Sequence, residues 1–406
     1  MKGTKIYVLD DEKDVLAIHS MLLEGLGFTV RCGNASERAV EEILEFRPDV
    51  VLMDVMMPGP SGFEILRRLR ARPELAGLAV VMLTSKGYEH DRQKAYDIGA
   101  DAYISKPLTE SKLKEALASL RGMKITFWGV RGTLPVPGAR SLRYGGNTSC
   151  VTLALPRERL FIFDAGTGIK ELSNQLMKSG RRRLKAHLFI THPHWDHINA
   201  FPFFVPLYLQ GNHIIVHGPA HEDLGIKDIM AHQMDGVYFP VTIREFAAHV
   251  EYADLTEGAH EIDGITVRTK WLTHPGMALG YRVEHQGRSF CYITDDELYP
   301  ADSGQDSRSF RAALADFVRG ADVLIHDTTY LDHEYKTKIH WGHSCVSEVV
   351  KLAHDAEVKT LYLSHHDPDH GDDDIDKKLA AARALNDTLG SKVRVEAAAE
   401  GQEILL

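Results

Sequence analysis

The heptapeptide Thr191-His192-Pro193-His194-Trp195-Asp196-His197 follows the apolar run Leu188-Phe189-Ile190. It constrains the fold more than any other segment. Four metal-ligating side chains, His192, His194, Asp196 and His197, crowd a span of six residues. They cannot all bind one ion without strain, but a turn at a strand end can send His192 and His194 to one metal and Asp196 and His197 to a second. Further donors stand at other predicted strand ends: His274 after Lys270-Trp271-Leu272-Thr273, Asp295 after Cys291-Tyr292-Ile293-Thr294, and His365 after Leu361-Tyr362-Leu363-Ser364. Asp296 and His366 adjoin two of these, and the first of each pair is preferred because it directly ends its strand. Histidine usage agrees. Of 22 histidines only His19 and His90 precede His187, which leaves 22 − 2 = 20 from His187 to His370. Such crowding assigns metal chemistry to the rear of the chain and something else to the front.

The front follows a different pattern. From Lys5 to about Leu120 short β-rich runs (Ile6–Leu9, Val50–Met53, Val80–Leu83, Ala102–Ile104) alternate with amphipathic stretches. That is a βα repeat, which predicts a parallel sheet covered by helices. Leu113, Leu117 and Leu120 mark a last helix, Arg121-Gly122 stops it, and Met123–Gly129 starts a new strand at once. The expected units are residues 1–122 and 123–406. Asp10 and Asp11 follow the first strand and Asp54 the run Val50–Met53, so three carboxylates should converge where an open α/β sheet binds ligands. Their repulsion calls for a cation, and Mg²⁺ suits an all-oxygen site. Thr84 and Lys106, each after a later strand, bring a hydroxyl and an ammonium to the same rim, a set able to hold the oxygens of an aspartyl phosphate.

This front set resembles the receiver domain of two-component response regulators, a flavodoxin-like (βα)5 fold. The resemblance covers residues 1–122 and includes Met57-Pro58 and Gly62 in the loop after the acceptor. It implies Asp54 as phosphoacceptor, Asp10, Asp11 and Asp54 as the Mg²⁺ site, Thr84 as switch hydroxyl, Tyr103 as rotating aromatic and Lys106 as phosphate-pairing lysine. A cognate sensor histidine kinase is the implied partner.

From about Lys124 onward the order of donors resembles the metallo-β-lactamase fold, an αββα sandwich. The likeness is to its phosphodiesterase branch, which includes ribonuclease Z and the cyclic phosphodiesterase of phosphonate breakdown. It implies a dinuclear site with His192, His194 and His274 on one metal, Asp196, His197 and His365 on the other, and Asp295 bridging. Asp196 is counted with the catalytic groups as well. Zinc is the first choice of metal, with manganese or iron as alternatives. Asp164, in Phe163-Asp164-Ala165-Gly166, would orient the ligand loop; without the family it reads as a turn residue. His343, in Trp341-Gly342-His343-Ser344, matches a histidine that touches the scissile phosphate without binding metal, which makes it the candidate general acid. His326-Asp327 matches a supporting segment.

Substrate class follows from what is missing. Ribonuclease Z enzymes carry a tRNA-gripping arm between the third histidine motif and the bridging aspartate, whereas only 20 residues separate His274 from Asp295. Net charge is −10, which offers a nucleic-acid duplex no general attraction. A small phosphodiester such as a cyclic nucleotide is therefore expected. The competing readings are an RNA nuclease, a carboxylic ester or thioester hydrolase, and a non-hydrolytic metal-binding or redox module. No apolar run approaches the ~18 residues of a membrane span, and Ile6–Leu9 passes straight into Asp10-Asp11, unlike a signal peptide. Four dispersed cysteines show no paired spacing. A cytoplasmic protein without a membrane partner is expected, and a homodimer through the front unit is allowed.

Overall fold

The computed structural model describes residues 4–75, 77–85, 88–120, 122–178, 183–300 and 308–406; Arg121, half of the expected helix stop, lies outside them. The chain divides into two compact units, Met1–Gly122 with Leu155–Arg159, and Met123–Ala154 with Leu160–Leu406.

The first unit is a five-stranded sheet in the order Thr29–Gly33, Lys5–Leu9, Val50–Asp54, Ala79–Thr84, Ala102–Ser105, parallel throughout. Val50–Asp54 is buried at every position, as a central strand covered on both faces requires. Helices Lys13–Gly25, Ala39–Phe46, Gly62–Arg70, Glu89–Ile98 and Glu110–Ser119 complete the alternation. Two of them start on hydroxyl caps, Ser61 accepting from the Glu64 N–H and Thr109 from the Lys112 N–H. The strand Thr29–Gly33 escaped the sequence reading. It is an edge strand with little full burial, so its composition carries no apolar run. Strand order reverses between Lys5–Leu9 and Val50–Asp54, the crevice where such sheets bind ligands.

The second unit holds two seven-stranded sheets among the described residues. One runs His249–Leu255, His213–Pro219, Lys185–Phe189, Arg159–Phe163, Cys150–Leu155, Lys124–Gly129, Glu403–Leu405; the other runs Gly258–Ile262, Ile265–Trp271, Leu279–His285, Arg288–Ile293, Val323–Asp327, Thr360–Ser364, Arg394–Ala397. Their inner faces meet through rings, with Phe163 packed on Tyr281, Phe290 and Tyr292 and Phe127 on Tyr362. Each outer face is covered by helices over an aliphatic layer, Ile169–Lys178 on the first sheet, and Val346–Asp355 and Asp372–Thr388 on the second. The result is an αββα sandwich. Among the described residues no helix is long and apolar enough to cross a membrane.

Candidate dinuclear metal site

Strands from both sheets of the second unit end at one rim. Lys185–Phe189 leads into the loop bearing His192 and His194 and the short helix Trp195–Ile198 that presents Asp196 and His197. Asp164, Asp295 and His365 each lie just past a strand and all adopt left-handed backbone, with φ of 61°, 54° and 56°. Residues other than glycine seldom do so, and strain of this kind collects where side-chain aim matters more than local comfort.

The side chains form two groups joined by one carboxylate. His194 Nδ1 is 3.1 Å from His274 Nε2, and the His192 ring sits 4.4 Å and 4.7 Å from the rings of those two. Asp295 Oδ2 faces this group, 3.5 Å from His192 Nε2 and 3.7 Å from His274 Nε2. Its other oxygen, Oδ1, lies 3.1 Å from both His197 Nε2 and His365 Nε2. Asp196 Oδ2 stands 3.2 Å from the same two nitrogens. The neighbouring Asp296 points elsewhere and accepts from the Thr273 N–H at 2.9 Å, and His366 is buried apart from the cluster's contacts.

Supporting groups engage the outward nitrogen of four rings and leave Nε2 facing in. His197 Nδ1 pairs with Asp164 Oδ2 at 2.8 Å, His365 Nδ1 with Thr329 Oγ1 at 3.1 Å, His192 Nδ1 with Thr191 Oγ1 at 3.1 Å, and His274 Nδ1 with the Gly342 carbonyl at 2.9 Å. That division is what metal-binding imidazoles need, since the outer partner fixes tautomer and ring plane. Inside, the buried His192 Nε2 and His197 Nε2 have no hydrogen-bond partner. Orphaned buried nitrogens are costly, and here they converge with carboxylate oxygens, so the residues fit two divalent cations. Burial disfavours a charged His197, but Asp196, Asp295 and Asp164 outweigh it and hold the ring well above its usual range. Such concentrated negative charge attracts cations.

His343 lies beside both groups, its ring 5.0 Å from His365 and 5.4 Å from His274. Its Nδ1 is 2.8 Å from Asp327 Oδ2. Burial works against its cation, yet Asp327, then Asp295 and Asp196, lift it to about 9. Asp327 is thus the main group favouring the protonated ring.

Several residues that shape the rim carried little or no local signal. Glu297 accepts from the Tyr335 hydroxyl and from the His340 and Gly342 N–H groups at 2.7–2.8 Å, so it fastens the loop whose Gly342 carbonyl orients His274. Gly342 and Gly132 lie so close to the His274 and His365 rings that a β-carbon at either position would collide with them. Lys378, fully buried, donates to the Thr328 and Thr329 carbonyls at 2.7 and 2.9 Å. One signal for Lys378 existed, since it falls in phase with Ile375 and Ala382 on the buried face of its helix, where a lysine is out of place. Beside the ligand loop a groove of about 570 Å³ is lined by Pro193, Trp195, Ile229, Tyr238 and Phe239. Trp195 and Tyr238 stand largely exposed.

In the first unit Asp10 and Asp54 end adjacent strands and share Lys106, whose Nζ is 2.7 Å from Asp10 Oδ2 and 2.5 Å from Asp54 Oδ1. Asp54 Oδ2 also accepts from the Met56 N–H at 2.7 Å. Burial raises Asp54 above the usual carboxylate range against the pull of Lys106. Asp11 is exposed at the rim. Thr84 is buried, and burial raises the Tyr103 hydroxyl while Thr84 opposes it, which sets these two side chains next to each other.

Residues 6–118 match the response regulator receiver domain, and residues 159–366 match the beta-lactamase superfamily domain. The chain belongs to the beta-lactamase superfamily, and its N-terminal unit is a response regulator receiver domain. A response regulator receiver domain protein from Clostridium thermocellum is 34% identical, over 28% of this chain and 90% of that one, with a TM-score of 0.27. The metallo-beta-lactamase fold protein YhfI from Bacillus subtilis is 18% identical and covers 70% of this chain and 100% of its own, with a TM-score of 0.51, a likeness of fold. Human tRNase Z, short form, is 22% identical over 70% of this chain and 98% of its own, with a TM-score of 0.47. The protein is a receiver fused to a metallo-β-lactamase-fold hydrolase, a fold that uses divalent metals, and a receiver implies a phosphodonor such as a histidine kinase.

Proposed function

We propose that residues 123–406 hydrolyse a small phosphodiester, in the class of cyclic nucleotides, at a dinuclear centre, and that residues 1–122 govern that activity through phosphorylation of Asp54 by a cognate kinase in the cytoplasm. One observation carries the reading: Asp295 gives one oxygen to each of two donor groups while His343, bonded to Asp327, stands beside both. His192, His194 and His274 would hold one cation, and Asp196, His197 and His365 the other. Asp295 would be shared, and Asp164 would set the His197 ring. Zinc is the best match for this nitrogen-rich set, with manganese or iron as alternatives. Bound there, two such cations supply a Lewis acid for a phosphoryl oxygen and an acidified water.

The chain's own residues do the rest. His343 carries a proton on an imidazole that Asp327 stabilises, and it releases that proton to the departing alkoxide. Asp327 then keeps the ring aligned for reprotonation. A thiolate leaves without such a donor, which disfavours the thioester reading, whereas an ester alkoxide would need one as well, so the substrate screen decides between phosphodiester and carboxylic ester. The groove beside Trp195 and Tyr238 offers exposed rings for the face of a base. In the receiver, Asp10 and Asp11 with Asp54 would hold Mg²⁺, and Lys106 would turn to the phosphoryl oxygens.

Metal-loaded protein should be screened against cyclic mono- and dinucleotides and a generic aryl phosphodiester. Turnover should vanish in His194→Ala along with metal, while His343→Ala keeps its metal and loses about 10²–10⁴-fold in kcat. Undiminished turnover in metal-free His194→Ala would overturn the reading.

A further inference from the structure

Three titratable side chains at the opposite rim of the first sheet take no part in the dinuclear site. His213 opens the strand His213–Pro219 and His249 opens the edge strand His249–Leu255; the two strands run parallel with His213 paired to His249. Paired positions of parallel strands face the same way, and residues two apart return to that face. Glu251 therefore stands beside both imidazoles. Its Oε1 lies 2.6 Å from His213 Nε2 and 2.9 Å from His249 Nε2, with the rings 4.8 Å apart. One donor atom from each of the three falls within 4.8 Å of the others.

Strand direction fixes how far this group lies from the hydrolytic rim. His213 is also paired with Lys185, the first residue of the strand that leads to His192. Seven residues at about 3.3 Å each separate the two groups by roughly 20 Å. They share no side chain.

We propose that His213, His249 and Glu251 form a separate mononuclear site for a borderline divalent cation such as zinc, tying the edge strand to its neighbour. Two imidazoles and one carboxylate, with room for water, suit zinc, copper or nickel and are poor in the oxygen that magnesium and calcium demand. Both Nε2 atoms aim at the same carboxylate oxygen, so the donors already converge, and small side-chain rotations open a position between them. His249 and Glu251 are 70% and 52% exposed, which gives an ion direct access. The adjacent ammonium of Lys185 is held by Asp263 at 2.7 Å, so it is occupied elsewhere. As a plain hydrogen-bonded group so open to water, the triad contributes little to the sheet; with a cation bound it clamps an edge strand that, among the described residues, pairs with one neighbour.

The test is the zinc stoichiometry of the metal-stripped full-length protein, titrated in competition with a chromophoric chelator. The unaltered protein should take up one equivalent more than His213→Ala and one more than His249→Ala. The isosteric Glu251→Gln variant should bind that equivalent more weakly, and His333→Ala, an exposed histidine in another element, should retain it. Hydrolytic turnover should be unchanged in all four. Equal stoichiometry in the unaltered protein and the His213 and His249 variants would overturn the site, as would loss of the same equivalent in His333→Ala, which would reduce it to general binding by surface histidines. The readout is a difference of one equivalent, so it stands whether or not the phosphodiesterase reading does.

Discussion

His343 Nδ1 lies 2.8 Å from Asp327 Oδ2, and the other oxygen of Asp327 accepts from both the N–H and the hydroxyl of Thr329. The same Thr329 hydroxyl reaches His365 Nδ1 at 3.1 Å. One threonine therefore couples the orientation of the proposed proton donor to that of a proposed metal ligand.

This arrangement sets a pH dependence. A general acid works protonated, so kcat/KM should fall as pH rises through the His343 pKa. Burial disfavours the cation, and Asp327 is the largest influence lifting it to about 9. Two bound cations oppose that lift, so in the loaded protein the descending limb belongs below 9. Asp327→Asn removes the carboxylate charge, and the limb should move to lower pH while metal content holds. A limb that stays put in the variant removes His343 from the proton-transfer step.

Asp164 is a stricter test of the metal centre because it never faces the proposed cations. Its Oδ1 accepts from the Thr191 N–H and hydroxyl, and its Oδ2 takes the Tyr292 hydroxyl at 3.1 Å as well as His197 Nδ1. Asp164→Asn replaces an acceptor by a donor opposite His197 and favours the wrong tautomer. Zinc affinity measured by chelator competition should drop about 10–100-fold. Tyr292→Phe removes one hydroxyl donor to that carboxylate and should cost about 1.5–3 kcal/mol of stability with affinity little changed. Equal affinity in Asp164→Asn and the unaltered protein would show that the loop holds its shape without this carboxylate.

Much of the site was legible because its donors are consecutive or stand directly after apolar runs. The proposed ligands either lie just past strand ends or, like Asp196 and His197, on the short helix that follows the loop after one, and a strand end is visible in sequence as the place where Leu-Phe-Ile or Leu-Tyr-Leu gives way to polar residues. The choice of Asp295 over Asp296 followed from the same rule. Legibility fails where a contact joins distant segments without a local pattern. Glu297 meets Tyr335 and Gly342, Lys378 meets Thr328 and Thr329, and Gly132 meets His365; none of these pairings leaves a trace in either partner's neighbourhood beyond the misplaced lysine. The same holds for the fold, where the half-exposed edge strand Thr29–Gly33 lacks the apolar run that betrayed the other four.

Lys378 carries its own prediction. Burial lowers its pKa from 10.5 to about 8, against the pull of Glu334, Asp367 and Asp327. Between those values the unfolded chain binds the proton more readily than the folded one, so this group makes stability increase as pH rises from about 8 toward 10.5. In Lys378→Met that increment should disappear, and the two carbonyls left without a donor should cost about 1–3 kcal/mol each. Urea midpoints of both proteins at pH 7.5 and 9.5 measure it. A difference between the two proteins that is the same at both pH values would mean that Lys378 titrates in the folded chain as it does in water.

The receiver prediction turns on Lys106, which bridges Asp10 and Asp54 at 2.7 and 2.5 Å. A phosphoryl group on Asp54 adds about −1.5 to −2 of charge at neutral pH, which draws the ammonium onto its oxygens together with Mg²⁺. Thr84, buried beside Tyr103, offers the remaining donor, and a shift of its hydroxyl toward the phosphoryl group opens space for the tyrosine ring. Beryllofluoride with Mg²⁺ should therefore change either phosphodiester turnover or oligomeric state, and Asp54→Ala should abolish the change. Thr84→Ala separates binding from response: it should still take up the mimic, seen as fluorine resonances of the bound adduct, while turnover and oligomeric state stay at their resting values. A full response in Thr84→Ala would move the switch away from this hydroxyl, and a response that survives Asp54→Ala would deny Asp54 control of the hydrolase.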